Sequence, residues 1–262
     1  PTQDPTFECW TLMSALSQIT SKVRLGQMCT CNSYRNPSYL TKIASNIDVM
    51  SGGRLEYAIG AGWYDHEYKA YGYAYPTDGV RLKMLEESLI IYKLMTTEEA
   101  PVFKGTYYQI DGAINQPKPL QKPHPPLWVC GGGEKVTLKL LARHGDYGNW
   151  DVDVDGFKHK SKILQEHCKS ENRDYSEIGR TLHTNVLIGK NKKDLDNKIS
   201  KLSEYTNIPK EYYYDRPLIG TKDKVFNTYT KYENEGCSYL IAYIPDIVWG
   251  DTLNILSELI KS

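Results

Sequence analysis

The chain has 262 residues, and 32 Lys plus Arg stand against 32 Asp plus Glu, a formal net charge of zero. A balanced surface gives no footprint for nucleic acid or an anionic membrane, and 40% hydrophobic with 24% charged residues excludes disorder and low-complexity scaffolding. There is no apolar run of the ~18 residues a membrane span needs and no basic-then-apolar leader, so a soluble, cytoplasmic, single-domain protein over residues 1–262 is expected.

Taken in chain order, apolar residues at Trp10, Leu12, Met13, Leu16 and Ile19 predict a helix, and residues 23–31 read as a strand. Pro37 opens a second helix, with Leu40, Ile43, Ala44 and Ile47 on one face, and Gly52-Gly53 ends it. A strand over 55–60 closes in Gly60-Ala61-Gly62. Asp78 is the expected cap of a long helix with Leu82, Leu85, Leu89 and Tyr92 on its stripe. Residues of about 102–121, rich in Gly, Tyr and Pro, predict an inserted hairpin. Further strands are expected at 127–130, 146–150, 181–188 and 239–244, with helices over 134–144 and about 157–168. Six strands alternating with helices imply a parallel sheet covered by helices, hence an α/β fold. A doubly wound sheet takes six strands and a closed (β/α)8 barrel takes eight, so the pattern leaves both open.

Six cysteines (Cys9, Cys29, Cys31, Cys130, Cys168 and Cys237) form no C-x-x-C pair and are expected as reduced, partly buried thiols. Cys29 and Cys31 alternate along a strand and so share a face, but no His or Cys lies at zinc spacing, and no metal is expected.

Three segments carry candidate chemistry. In Leu127-Trp-Val-Cys-Gly-Gly-Gly-Glu134, three glycines between a buried strand and a helix let backbone N–H groups converge on an anion, favouring phosphate binding over a plain tight turn. No Gly-Lys-Ser/Thr follows, so this is no Walker loop. In Ile59-Gly-Ala-Gly-Trp-Tyr-Asp-His66, small residues end a strand where α/β enzymes keep their sites. Trp63 there is either a stacking face for a planar cofactor or a core residue, and His66, taken alone, reads as a turn residue. Thr30, at the end of the first strand, is a potential donor to a ligand oxygen, though threonine is common in strands. His144, His159, His167 and His183 lack partners in the pattern and read as structural.

Together, the stretches from Val23 to Tyr68, from Arg81 to Thr96 and from Phe103 to Trp150 resemble the luciferase-like monooxygenase superfamily, and most of all its coenzyme F420-dependent oxidoreductase branch. The string Asp48-x-x-Ser51-Gly-Gly-Arg-Leu55 ahead of Gly60-Ala-Gly-Trp63 is the most specific part, and the tail from Leu218 to Asp246 is similar as well. The resemblance implies a (β/α)8 TIM barrel with an inserted hairpin, here lacking its first two βα units. It places a non-proline cis peptide behind the flavin ring at Met28–Cys29, and Thr30 near the cofactor's polar edge. Gly62 and Trp63 fall beside the ring and ribityl chain, and His66 at a polar ligand position, as the candidate catalytic group. Gly131, Gly132, Gly133 and Glu134 match the phosphate cradle; Asn149 and Trp150 match a strand end lining the cavity. Arg81 keeps a family arginine whose usual charged neighbours are replaced by Val80 and Met84. The implied function is hydride transfer between coenzyme F420 and a small organic substrate, in a homodimer. The alternatives are an FMN-dependent monooxygenase using oxygen and a non-catalytic flavin-binding protein. A metal-dependent barrel hydrolase is disfavoured because no His/Asp cluster marks the strand ends.

Overall fold

The computed structural model describes residues 6–261, and in the last helix it describes side chains only through Glu258; the extreme ends of the expected 1–262 domain lie outside. The chain separates into two compact units, the larger covering residues up to 148 and 163–178, the smaller covering 149–162 and the chain from 179 onward.

The larger unit begins with α1 (Cys9–Ile19), β1 (Leu25–Gly26), β2 (Thr30–Cys31), α2 (Pro37–Ser51) and β3 (Leu55–Gly60). It continues through α3 (Asp65–Ala70), α4 (Asp78–Thr97), β4 (Val102–Lys104), β5 (Gln109–Asp111), β6 (Leu127–Cys130), α5 (Thr137–His144) and the start of β7 (Tyr147–Trp150). Strand β3 is central. It pairs in parallel with β1 and β2 on one side and with β6 on the other. Four of its six residues (Leu55, Tyr57, Ala58 and Ile59) are at most 1% exposed, the near-continuous apolar run of a parallel strand covered on both faces.

The expected strand over 23–31 is interrupted. Only Leu25–Gly26 and Thr30–Cys31 pair with β3, and between them the Met28–Cys29 peptide is cis, at the position the resemblance indicates. Where the ladder lapses, the Gln27 side-chain amide donates to the Ala58 carbonyl at 2.8 Å in place of a backbone bond.

Helix α2 forms as its sequence dictates: Pro37 occupies the first turn, the Asn36 side chain accepts from Ser38 N, and Gly52 ends it left-handed at φ +71°. Leu40, Ala44 and Ile47 are buried, and so is Asp48, whose carboxylate accepts from Leu120 N, Gln121 N and the Gln121 amide. A buried carboxylate with three donors is satisfied rather than stranded, and it pins the end of the inserted segment to the helix. The insertion is the expected antiparallel hairpin, β4 against β5. The Glu87 carboxylate accepts from Thr106, Tyr107 and Tyr108 N and holds its turn against α4. Asp78 is not the cap of α4: it lies inside the first turn, Thr77 holds the cap position without a side-chain bond, and the Asp78 carboxylate is engaged by Arg81 at 2.6 Å. In the core, Tyr57 stacks on Tyr92 at 4.2 Å, and the Tyr92 hydroxyl donates to the Pro125 carbonyl at 2.8 Å.

The smaller unit holds the end of β7, the first part of α6 (Val154–Ser170), and β8 (Gly179–Asn185), β9 (Leu187–Gly189), α7 (Lys192–Thr206), α8 (Lys210–Tyr214), β10 (Ile219–Thr221), α9 (Lys222–Asn234), β11 (Tyr239–Tyr243) and α10 (Thr252–Lys261). The single strand expected over 181–188 is two. Residues 179–185 pair in parallel with β11, whereas Leu187–Gly189 turns away to pair in parallel with β10. Leu187 and Ile219 join Leu195, Ile199, Leu202 and Tyr213 in a separate apolar cluster, whose burial draws the chain out of the first strand's line. Among the described residues, no helix is long and apolar enough to cross a membrane.

Candidate active site

Strands β2, β3 and β6 point the same way and end in register. Cys31 lies opposite Gly60 on one side of β3, and Cys130 lies opposite Gly60 on the other. The loops that follow, beginning at Asn32, Ala61 and Gly131, therefore leave one edge together. In parallel α/β proteins ligands bind at this carboxyl end.

Two glycines let the chain close up at that edge. A Cβ on Gly60 would stand 3.0 Å from Cys29 Sγ and 3.3 Å from the Cys130 carbonyl oxygen. On Gly62 it would meet the Tyr68 hydroxyl at 2.2 Å and Cys31 Sγ at 2.5 Å, and Gly62 also has a positive φ of +82°. Behind Gly62, Cys31 Sγ and the Tyr68 hydroxyl are 3.0 Å apart, and burial pushes both groups up, so both are neutral at pH 7.

Arg81 fixes this loop from below. Only 4% exposed, its guanidinium donates to the carbonyls of Gly62 and Pro76 and to Asp78, and it stacks 4.3 Å over the Tyr75 ring. The Tyr75 hydroxyl in turn donates to the Trp63 carbonyl at 3.0 Å. Sequence reasoning named Arg81 but no partner for it; Asp78 at i−3 and Tyr75 were the available signal. Trp63 is 80% exposed, which removes the core reading. His66 is exposed in the first turn of α3, its ring 5.7 Å from that of Tyr64. Tyr34, Tyr68, Tyr73 and Tyr75 form a chain of ring contacts at 4.6–4.9 Å around this mouth. That array holds four of the chain's 21 tyrosines.

The second loop is built differently. Gly131, Gly132 and Gly133 are exposed, and Gly131 has φ +123°. Helix α5 begins at Thr137, three residues later than expected, because Glu134–Val136 form a turn; Leu138 N donates to the Gly133 carbonyl at 3.0 Å. No side chain caps α5, and Leu140 N donates to the Val136 carbonyl at 2.8 Å. Glu134 is held through its carbonyl by His167 Nε2 at 2.7 Å, which corrects the expectation that His167 has no partner.

Thr30 is 3% exposed, and its Oγ1 accepts from Trp10 Nε1 at 3.1 Å, leaving its own proton to donate. Met28, Cys29 and Cys130 form a group that sequence reasoning did not assemble. The Cys130 thiol donates to Met28 Sδ at 3.4 Å, and Cys29 Sγ and Cys130 Cβ both flank Gly60, 3.0 and 3.6 Å from where its Cβ would stand. Only the β-ladder, which brings β6 beside β3, joins residues a hundred positions apart.

The structure thus gathers Met28, Cys29, Thr30, Gly62, Trp63, His66 and the Gly131–Glu134 loop into the larger unit. Trp150 belongs to the smaller unit, where it is 2% exposed and packs edge-on to Phe157 at 5.2 Å, and Asn149 donates to Thr181 Oγ1 at 2.9 Å.

Known proteins resemble part of this chain in sequence and nearly all of it in fold. An uncharacterised protein of Mycobacterium tuberculosis is 30% identical over 174 residues, 64% of this chain and 58% of that protein. Pyrimidine monooxygenase RutA of Agrobacterium fabrum is 32% identical over 148 residues, 55% of this chain and 39% of the relative. The FMNH2-dependent dimethylsulfone monooxygenase of Pseudomonas putida is 28% identical over 159 residues, 59% of this chain and 42% of the relative. The chain thus matches less than two thirds of these relatives' lengths. Among solved structures, an F420-dependent secondary alcohol dehydrogenase superposes with a TM-score of 0.84 at 18% identity, covering 99% of this chain and 85% of the other. The F420-dependent tetrahydromethanopterin reductase of Methanopyrus kandleri gives 0.78 at 16% identity, covering 95% and 85%. At such identities the likeness is one of fold, the TIM-barrel-like α/β fold that these proteins share. The family described as luciferase-like monooxygenase matches residues 1–238, and the chain belongs to that family.

Proposed function

We propose that the chain is an oxidoreductase that holds a phosphate-bearing flavin or deazaflavin, with coenzyme F420-dependent hydride transfer to or from a small organic substrate as the favoured chemistry. The observation that carries this reading is the juxtaposition of two glycine-rich strand ends on neighbouring parallel strands. One is flanked by the exposed face of Trp63; the other leads into the uncapped N-terminus of α5. A planar ring with a phosphate tail needs both, and the residues present fit it.

Gly131, Gly132 and Gly133 let backbone N–H groups approach the phosphate, and the α5 dipole favours its charge. Glu134, tied by its carbonyl to His167, fixes the loop's far end. Gly60 and Gly62 let the strand end close up against Cys29, Cys31 and Tyr68, and Met28 and Cys29 would form the ring's rear wall. Thr30 donates to a polar ring atom while its oxygen stays engaged by Trp10. Trp63 provides a stacking face that excludes water, and His66 is the candidate to deliver or take the substrate's proton. When bound, the cofactor supplies the hydride chemistry itself.

The second reading, FMN with molecular oxygen, is favoured by the sequence relatives: the dimethylsulfone enzyme is FMNH2-dependent by name, and the pyrimidine enzyme is a monooxygenase. Both cofactors use the same cradle. Fluorescence titration of the purified chain with coenzyme F420 and, separately, with FMN distinguishes them. Tighter binding of F420 supports hydride transfer, preference for FMN moves the chain to the oxygen-using branch, and binding of neither removes the cofactor reading.

A further inference from the structure

The three sulfur atoms of Met28, Cys29 and Cys130 meet above Gly60. Cys130 Sγ is 3.4 Å from Met28 Sδ, and a Cβ on Gly60 would stand 3.0 Å from Cys29 Sγ and 3.6 Å from Cys130 Cβ, so all three side chains flank the same glycine. The absent Cβ is what lets side chains from either side of β3 converge. Cys130 has one proton and two sulfur acceptors, so it cannot donate to both at once. Cys29 is exposed, which gives the group an entrance.

A disulfide is not the natural fate of this pair. Strand β3 runs between the two chain segments that carry the thiols, so their backbones are about two strand spacings apart, ~9–10 Å. A disulfide spans only ~4.4–6.8 Å between Cα atoms. An ion between the sulfurs removes that mismatch: metal–thiolate bonds of ~2.3 Å in a trigonal arrangement put sulfurs about 4 Å apart, a small opening of the contact already present. Among the described residues no group of three or more His, Cys, Asp or Glu is placed to hold a metal. The donors here are two thiols and a thioether, a set that suits a soft monovalent ion and leaves a four-coordinate or oxygen-seeking ion short of ligands.

We infer that Met28, Cys29 and Cys130 form a binding site for a thiophilic monovalent metal ion, of the Cu(I) or Ag(I) class, at the carboxyl ends of β2 and β6. Binding replaces the two thiol protons, which leave to solvent, with two metal–thiolate bonds; the Met28 thioether adds a third ligand without proton loss, and no oxidation state changes. The site does not depend on the cofactor reading, because every ligand is a protein side chain.

The test is an anaerobic Cu(I) titration of the whole cofactor-free chain against a competing Cu(I) chelator, followed by iodoacetamide mapping of the six cysteines. The expected result is one equivalent bound with Cys29 and Cys130 protected and Cys9 still alkylated. Affinity falls at least about 100-fold in Cys29→Ser and in Cys130→Ser, beyond the ~10–100-fold that loss of a residue merely orienting a ligand costs. It falls about 10-fold in Met28→Leu and is unchanged in Cys168→Ser. Unchanged affinity in Cys130→Ser, protection of other cysteines in the unmutated chain, or equal competition by Zn(II) overturns the proposal. The mapping reads out on the unmutated chain, so a variant that fails to fold does not blunt it.

Discussion

The two glycine-rich strand ends look alike in sequence, yet the chain builds them on opposite principles. The loop after β3 is wedged: Gly62 sits against Cys31 and Tyr68, Arg81 ties its carbonyl down, and Tyr75 holds the carbonyl of Trp63. The loop after β6 is open: its three glycines are exposed, and the close neighbour of a Cβ at Gly131 or Gly133 is the Thr137 side chain. Glycine thus stands at one place where there is no room for a side chain, and at the other on an exposed turn that Gly131 takes with a positive φ. A wedged loop is suited to supporting a rigid face, an open one to receiving a ligand that brings its own hydrogen-bonding atoms.

The largest effect that follows is on Gly62→Ala. The new methyl carbon would stand 2.2 Å from the Tyr68 hydroxyl and 2.5 Å from Cys31 Sγ, at a φ of +82°. Overpacking costs ~1–3 kcal/mol and the left-handed backbone ~1–2 kcal/mol, so urea unfolding should show a loss of about 2–5 kcal/mol. A loss below ~1 kcal/mol would mean that the loop yields, and the contrast between the two strand ends would collapse.

The same contrast explains what was legible in the sequence. Strands 55–60 and 127–130, the Pro37–Ser51 helix and the inserted hairpin were readable because each rests on local chemistry: an apolar run, a proline start, a glycine stop, a Gly/Pro-rich turn. The glycine runs also marked both strand ends. What the sequence did not show depends on pairing over long separations. The split of 23–31 into two short strands follows from how β3 receives them, and the departure of Leu187–Gly189 from its strand follows from a partner at 219–221. The site has the same division: Thr30, Gly62 and Gly131–Gly133 were readable one by one, whereas the Met28–Cys130 contact, the clasp of Arg81 on Gly62 and the His167 bond to Glu134 required the fold.

The open loop must still be carried by something firm, and α5 is packed on the core through Leu138, Leu140 and Leu141, all at most 2% exposed. His144, in its last turn, tests that firmness. Burial, and then the nearby Lys93 ammonium, lower its pKa to about 4 from an ordinary value near 6.5. The folded state therefore binds this proton less readily than the unfolded one. Its contribution is fully present above pH ~6.5, is lost as pH falls toward about 4, and is flat below. The loss is on the order of 2–3 kcal/mol. Urea midpoints for the chain and for His144→Gln at pH 7.5 and 4.5 check this: the acid-induced drop should shrink by about that amount in the variant. An equal drop in both would mean that the end of α5 is loose and that the open loop rests on a soft base.

The smallest effect on stability, and the sharpest on function, is expected at Gly133→Ala. The added methyl would lie 2.9 Å from Thr137 Oγ1 and 3.6 Å from Thr137 Cβ, contacts with a side chain rather than with a neighbouring strand, and no positive φ stands against it. Rotation of Thr137 relieves the clash, so stability should change by less than about 1 kcal/mol. On the proposed reading the methyl group would nonetheless crowd a phosphate held by this loop, and one lost charge-assisted bond of ~1.5–3 kcal/mol corresponds to a cofactor affinity weaker by about 10- to 100-fold. Stability held while affinity falls is the signature of a loop kept bare for a ligand. If both are unchanged, the glycines serve only the turn into α5; if stability falls as far as in Gly62→Ala, the second loop is wedged like the first and the distinction between the two strand ends is lost.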